Sequence, residues 1–166
     1  MRPWLPAVTL TVAPIIKAGF DPESGVDKQL RKEFAALGKP VEGLETAAQQ
    51  MHVLAGLPQP VAISMLRRTL DDYARADTEI RQLLQDWLHG DVNAIAALEN
   101  SEMRDRYPAL YKALLTDRNR RWARQIAQML DQHQTIFVAV GAAHLAGPDD
   151  VQAQLQKAGI AAMRVH

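Results

Sequence analysis

The sequence predicts an α/β protein, mostly helical, with a small and mainly parallel sheet of about three strands. Three observations lead there. Ile136 to Val140 is continuously apolar and rich in β-branched residues, as a strand covered on both faces would be. Pro148 to Ala158 then reads as a helix and Ile160 to Val165 as another strand, so the last quarter has the form of a βαβ crossover with parallel strands. Between Pro58 and Gly90, and again from Pro108 to about His133, apolar residues recur at three- and four-residue steps, which is the helical period.

Taken in order, the opening "MRPWLPAVTLTVAPIIKAGF" reads as an amphipathic helix. Its prolines at 3, 6 and 14 and the lack of a small-residue cleavage site argue against a signal peptide. Ser24 and Asp27 have capping-box spacing, which predicts a helix from Gly25 to about Leu37, stopped by Gly38. Val41 to Leu44 reads as a short strand, and Thr46 with Gln49 forms a second capping box. The stretch from Pro58 is long for one helix, and a bend or break is expected near Arg75 to Thr78. Asp91 caps a short helix ending before Asn100, and Pro108 opens the next. No linker or repeat interrupts residues 1–166, which read as one domain. About three strands is fewer than the roughly 4 to 6 of an ordinary sheet, so the sheet is expected to be incomplete or completed by another chain.

Composition narrows the chemistry. Nineteen basic residues balance nineteen acidic ones in 166, which argues against a surface built to bind nucleic acid or anionic lipid. The absence of cysteine excludes disulfides, thiolate metal sites and a cysteine nucleophile. No apolar run approaches the roughly 18 residues a membrane span needs. There is no G-x-S-x-G, no G-x-G-x-x-G, no P-loop and no H-E-x-x-H, and His52, His89, His133 and His166 have no metal-ligand spacing.

His144 is the strongest candidate that remains. It sits in "GAAHLAGPDD", a loop between a predicted strand and a predicted helix, where α/β proteins place their ligands. Glu45 holds the equivalent place after the strand at 41–44, so both are expected at strand ends facing one crevice. A histidine with a carboxylate can serve as metal ligands or as an acid–base pair. A structural histidine, and a carboxylate favouring the dipole of the next helix, are the alternatives. Asn119 shares the seam of Leu115, Trp122 and Ile126, so its amide is expected to be partly buried and in need of partners. Arg118 beside it could reach a carboxylate or a ligand anion, whereas Arg120, Arg121 and Arg124 read as a solvated face.

Several segments in one order resemble the TraB/GumN family: "RPWLPAVTL", "GVDKQL", "GKPVEGLET", "DRNRRWARQI" and "FVAVGAAHLAGPDDVQAQLQKAGI". That family is related to the TIKI metal-dependent proteases and shares a broad fold with ChaN and erythromycin esterase-like proteins. The resemblance implies that this chain corresponds to the C-terminal portion of the family's architecture, with Gly141 to His144 as the second of two G-x-x-H motifs. It matches Glu45, Arg118, Asn119 and His144 to the family's polar positions, with Glu45 and His144 as ligands of a divalent metal such as manganese, cobalt or zinc. The implied activity is metal-dependent, peptidase-like hydrolysis, weak or absent in this chain alone. A peptide or small-molecule ligand, self-association and a bacterial periplasmic or cell-envelope setting are implied as well. The rival reading is a non-catalytic binding or assembly module, linked through the GumN name to exopolysaccharide production.

Overall fold

A computed structural model describes residues 2–132 and 135–165, and the chain divides into two compact units, Met1–Arg81 and Gln82–His166. The first unit holds α1 (Trp4–Lys17), a 3₁₀ turn (Pro22–Ser24), α2 (Val26–Ala36), α3 (Ala47–Ala55), α4 (Gln59–Asp72) and the start of α5 (Ala76–Leu88). α1 forms in spite of its prolines. Pro3 precedes it, and Pro6 lies in the first turn, where backbone N–H groups have no helical acceptor in any case. α1 packs on α4. The residues these two helices bury, Ala7, Pro14 and Ala62, are small, and no large side chain of the unit is buried with them.

Several expected boundaries are met. The Thr46 hydroxyl accepts from the Gln49 N–H at 3.1 Å while the Gln49 side chain accepts from the Thr46 N–H at 2.8 Å, a complete capping box that starts α3. Tyr73 to Arg75 form the turn that divides α4 from α5, close to the expected break. α2 is found nearly as predicted, but Ser24 does not cap it. Ser24 donates instead to the carboxylate of Asp21, which caps the preceding 3₁₀ turn.

The second unit continues with α6 (Val92–Ile95), a π-helical segment (Ala96–Ser101), α7 (Glu102–Arg106), α8 (Pro108–Tyr111), a second π-helical segment (Lys112–Thr116), α9 (Asp117–Leu130), a 3₁₀ turn (Ala142–Leu145) and α10 (Val151–Lys157). Asp91 accepts from the N–H groups of Asn93 and Ala94 as expected. The helix it opens, however, runs on through Asn100. The predicted end of the Pro108 helix at His133 lies outside the described residues. α9 packs on α10. Ile95, Met103, Leu110, Tyr111, Leu115, Trp122, Ile126 and Val151 form the core.

The predicted sheet is not formed. Among the described residues there is no β-strand, and the fold is all-helical rather than α/β. Residues 41–44, 135–140 and 160–165, the three expected strands, carry no regular secondary structure, so the βαβ crossover reduces to α10 between two irregular segments. A helix closes its hydrogen bonds within its own segment, whereas a strand can do so only against a neighbour. Apolar β-branched runs therefore report a preference for extended backbone without supplying a partner. Residues 135–140 retain the period of a strand, alternating exposed and half-buried side chains, without its ladder.

Candidate functional site

Three of the four singled-out residues meet in the second unit. His144 lies on the 3₁₀ turn that follows Gly141, its N–H bonded to the Gly141 carbonyl at 2.8 Å, and only 8% of it is exposed. Arg118 and Asn119 stand on the first turn of α9, immediately after the second π segment. Asn119 is fully buried and bridges two strangers in sequence: its Nδ2 donates to the Asp149 carbonyl at 2.7 Å and its Oδ1 lies 2.6 Å from His144 Nδ1.

That bridge fixes the histidine's tautomer. A backbone carbonyl can only accept, so the Asn119 amide must turn its NH₂ toward Asp149 and its oxygen toward the imidazole. Nδ1 therefore carries the proton. The other ring nitrogen, Nε2, faces Arg118 Nη1 at 3.3 Å, and since a guanidinium can only donate, Nε2 presents its lone pair. Both contacts agree on the neutral imidazole with hydrogen on Nδ1.

Arg118 is held as well as holding. Its Nη1 donates to the Leu114 carbonyl at 3.2 Å, and its guanidinium carbon lies 4.8 Å from the centre of the Trp122 ring, within cation–π range. The same indole lies against the imidazole, with ring centres 4.4 Å apart and planes inclined by 48°. Trp122 thus gives His144 an apolar wall and Arg118 an electron-rich face.

Two further residues touch the segment from Ala143 to Asp149, neither marked out by the sequence pattern. Asn100 is buried and donates both amide hydrogens across the turn, to Ala143 O at 2.9 Å and Ala146 O at 2.8 Å. Tyr111 is buried beside Asp149. Burial first, and then the negative charge of Asp149, push its phenol above the ordinary value of 10.0. Asp149 was expected in the first turn of a helix from Pro148, but α10 begins at Val151 with Asp150 as its cap, the Asp150 carboxylate accepting from Ala153 N–H at 2.6 Å.

Glu45 belongs to the first unit, where it is half-buried and immediately precedes the capping Thr46. Its expected place at the end of a parallel strand falls with the sheet, as does that of His144. For a divalent ion, His144 supplies one imidazole. No group of three or more His, Cys, Asp or Glu among the described residues is placed to hold a metal, and the Nε2 lone pair faces a cation. These side chains do not by themselves fit a resident metal ion.

A model of the TraB/PrgY/gumN family matches residues 1–164. The chain belongs to that family. It is 29% identical over 154 residues to the uncharacterized protein YbaP of Escherichia coli (strain K12), a match covering 92% of this chain and 56% of that protein. The YbaP of Shigella flexneri matches with the same identity and coverage. The chain thus spans little more than half the length of the curated relatives it matches. No solved structure matches it. No described helix is long and apolar enough to cross a membrane.

Proposed function

We propose that His144, Asn119 and Arg118 form the polar nucleus of a hydrolase site of the TraB/PrgY/gumN family, acting on a peptide or another small carbonyl substrate. The observation that carries this reading is the 2.6 Å contact between Asn119 Oδ1 and His144 Nδ1. A histidine that is to accept a proton at Nε2 needs Nδ1 protonated and its ring held, and an oriented hydrogen-bond partner on the far nitrogen does both. A water entering beside Nε2 would give its proton to that nitrogen as its oxygen attacks the carbonyl carbon, and the Nε2 proton would then pass to the leaving amine or alkoxide as its bond to that carbon breaks. The negative charge gathering on the carbonyl oxygen would find its donor in Arg118, displaced from Nε2 by the incoming water. Trp122 excludes bulk water from one side of the imidazole.

A divalent ion, manganese, cobalt or zinc, is implied by family resemblance alone, and among the described residues the side chains around His144 do not by themselves supply its ligand set. Self-association and a cell-envelope setting belong to the same proposal. The first is supported by the exposure of apolar side chains such as Met163 at 89% and Val165 at 85%, the second by family membership alone. A second reading, a binding or assembly module without chemistry, is favoured by the guanidinium that faces Nε2.

Hydrolysis of a panel of peptides and esters, with and without each of the three ions, separates the two. On the hydrolase reading, turnover is low in the isolated chain and falls at least about a hundredfold in His144→Ala, the lower end of what loss of a general base produces. Turnover indifferent to that substitution removes the site from consideration. Binding of a peptide without turnover would favour the assembly module.

A further inference from the structure

We infer that Asn100 is a positioning residue for His144, holding the 3₁₀ turn in the one setting that lets Asn119 select the imidazole tautomer. This rests on the site proposed above. Asn100 and the turn are more than forty residues apart in sequence, yet the amide reaches the carbonyls on both sides of His144, those of Ala143 and Ala146. Two bonds from one planar group leave the intervening backbone little freedom to translate or rotate. The 2.6 Å contact from Nδ1 to Asn119 demands that precision, because hydrogen bonds weaken steeply as distance and angle degrade.

The rest of the Asn100 side chain points the same way. Its Oδ1 is buried and has no hydrogen-bond partner among the described residues. A residue retained only for stability would be expected to satisfy that oxygen or to be apolar, since an unpaired buried acceptor is unfavourable. What Asn100 contributes is its pair of donors. It also lies in the first π-helical segment, while Leu114, whose carbonyl holds Arg118, lies in the second. π-Helical turns are often found at functional sites, and here one supplies the donor to the turn that carries His144 and the other the acceptor that holds Arg118. Gly147 follows the turn at φ +91°, a conformation that side-chain-bearing residues rarely adopt.

The test is the nitrogen spectrum of the His144 imidazole, which distinguishes the Nδ1–H from the Nε2–H form without reference to activity. In the native chain a single Nδ1–H form is expected, and in Asn100→Leu a mixture of the two with unchanged helical circular dichroism. Asn100→Ser, which keeps one donor, takes the place of the leucine variant if that one does not fold. Scalar couplings from the Asn100 NH₂ across to the carbonyls of Ala143 and Ala146 are measurable in the native chain itself. Their absence, or an Nδ1–H form undisturbed in the variant, overturns the inference. A shifted tautomer in a protein that hydrolyses nothing would leave Asn100 as the positioning residue and remove the hydrolase reading instead.

Discussion

Residues 1–81 and 82–166 are nearly equal in length and both helical, yet the first unit buries three described side chains and the second fourteen. The first unit's three are alanine, proline and alanine. Its helices are held by local devices, the capping box at Thr46 and the pairing of Arg75 with Asp72 at 2.8 Å and Glu79 at 2.9 Å, and the hydroxyls of Thr9, Thr11, Ser64 and Thr69 find their partners only one turn back on the same helix. In the second unit, polar bridges of long sequence separation lie inside an apolar core. Helical order can therefore be reached in two ways, and only the second creates a place where a side chain is both dry and aimed.

The contrast is broken most directly in the cores. Leu110→Ala in the second unit should cost about 2 to 5 kcal/mol, the usual range for a fully buried leucine. Leu66→Ala on α4, only half-buried, should cost about 1 kcal/mol or less, in line with its smaller loss of buried area. Denaturant unfolding of the two variants measures both, and equal losses would show that the units do not differ as described.

Caps sharpen the comparison at a smaller scale. Thr46→Ala and Asp150→Ala remove a cap from each unit and should each cost about 1 kcal/mol. Asp150 caps the short helix packed on α9, so its loss should loosen amide protection across the second core. The loss at Thr46 should remain local to α3. Hydrogen exchange of the two variants reads the difference, and protection lost equally widely in both would contradict it.

The smallest expected effect is alkaline. Because the Tyr111 phenol is raised above 10.0 in the folded chain, the native state holds its proton more tightly than the unfolded one. That contribution is fully present below about pH 10 and is lost as pH climbs through the folded value. Tyr111→Phe should change neutral stability by about 1 kcal/mol or less and flatten the alkaline fall. Melting temperatures between pH 8 and 11 make the comparison, and an identical alkaline limb in both proteins would refute the assignment.

Much of this was written in local sequence. Thr46 with Gln49, the break after Asp72 and the opening amphipathic stretch are decided by neighbours three or four residues away, and each is found near where its spacing puts it. Arg118, Asn119 and His144 were legible for a related reason: a polar residue on an apolar seam, and a lone histidine in a glycine-flanked loop, are conflicts that an ordinary core would not keep. The strands were not legible because a ladder depends on a partner, and no run such as Ile136 to Val140 can name one. Asn100 is not marked out because it follows the buried Ile95 by five residues, a step outside the three-and-four pattern by which the sequence predicts a helix ending before it.

That five-residue step recurs between the buried Leu110 and Leu115, across the second π segment. On a regular α-helix, residues five apart point about 140° away from one another. The wider π turn brings them much closer in bearing. Each π segment thus behaves like a gear with one added tooth, resetting the azimuth of everything after it. Asn119 and Arg118 owe their heading to such a reset, and the direction of the site is governed by the pitch of a helix no less than by the residues on it.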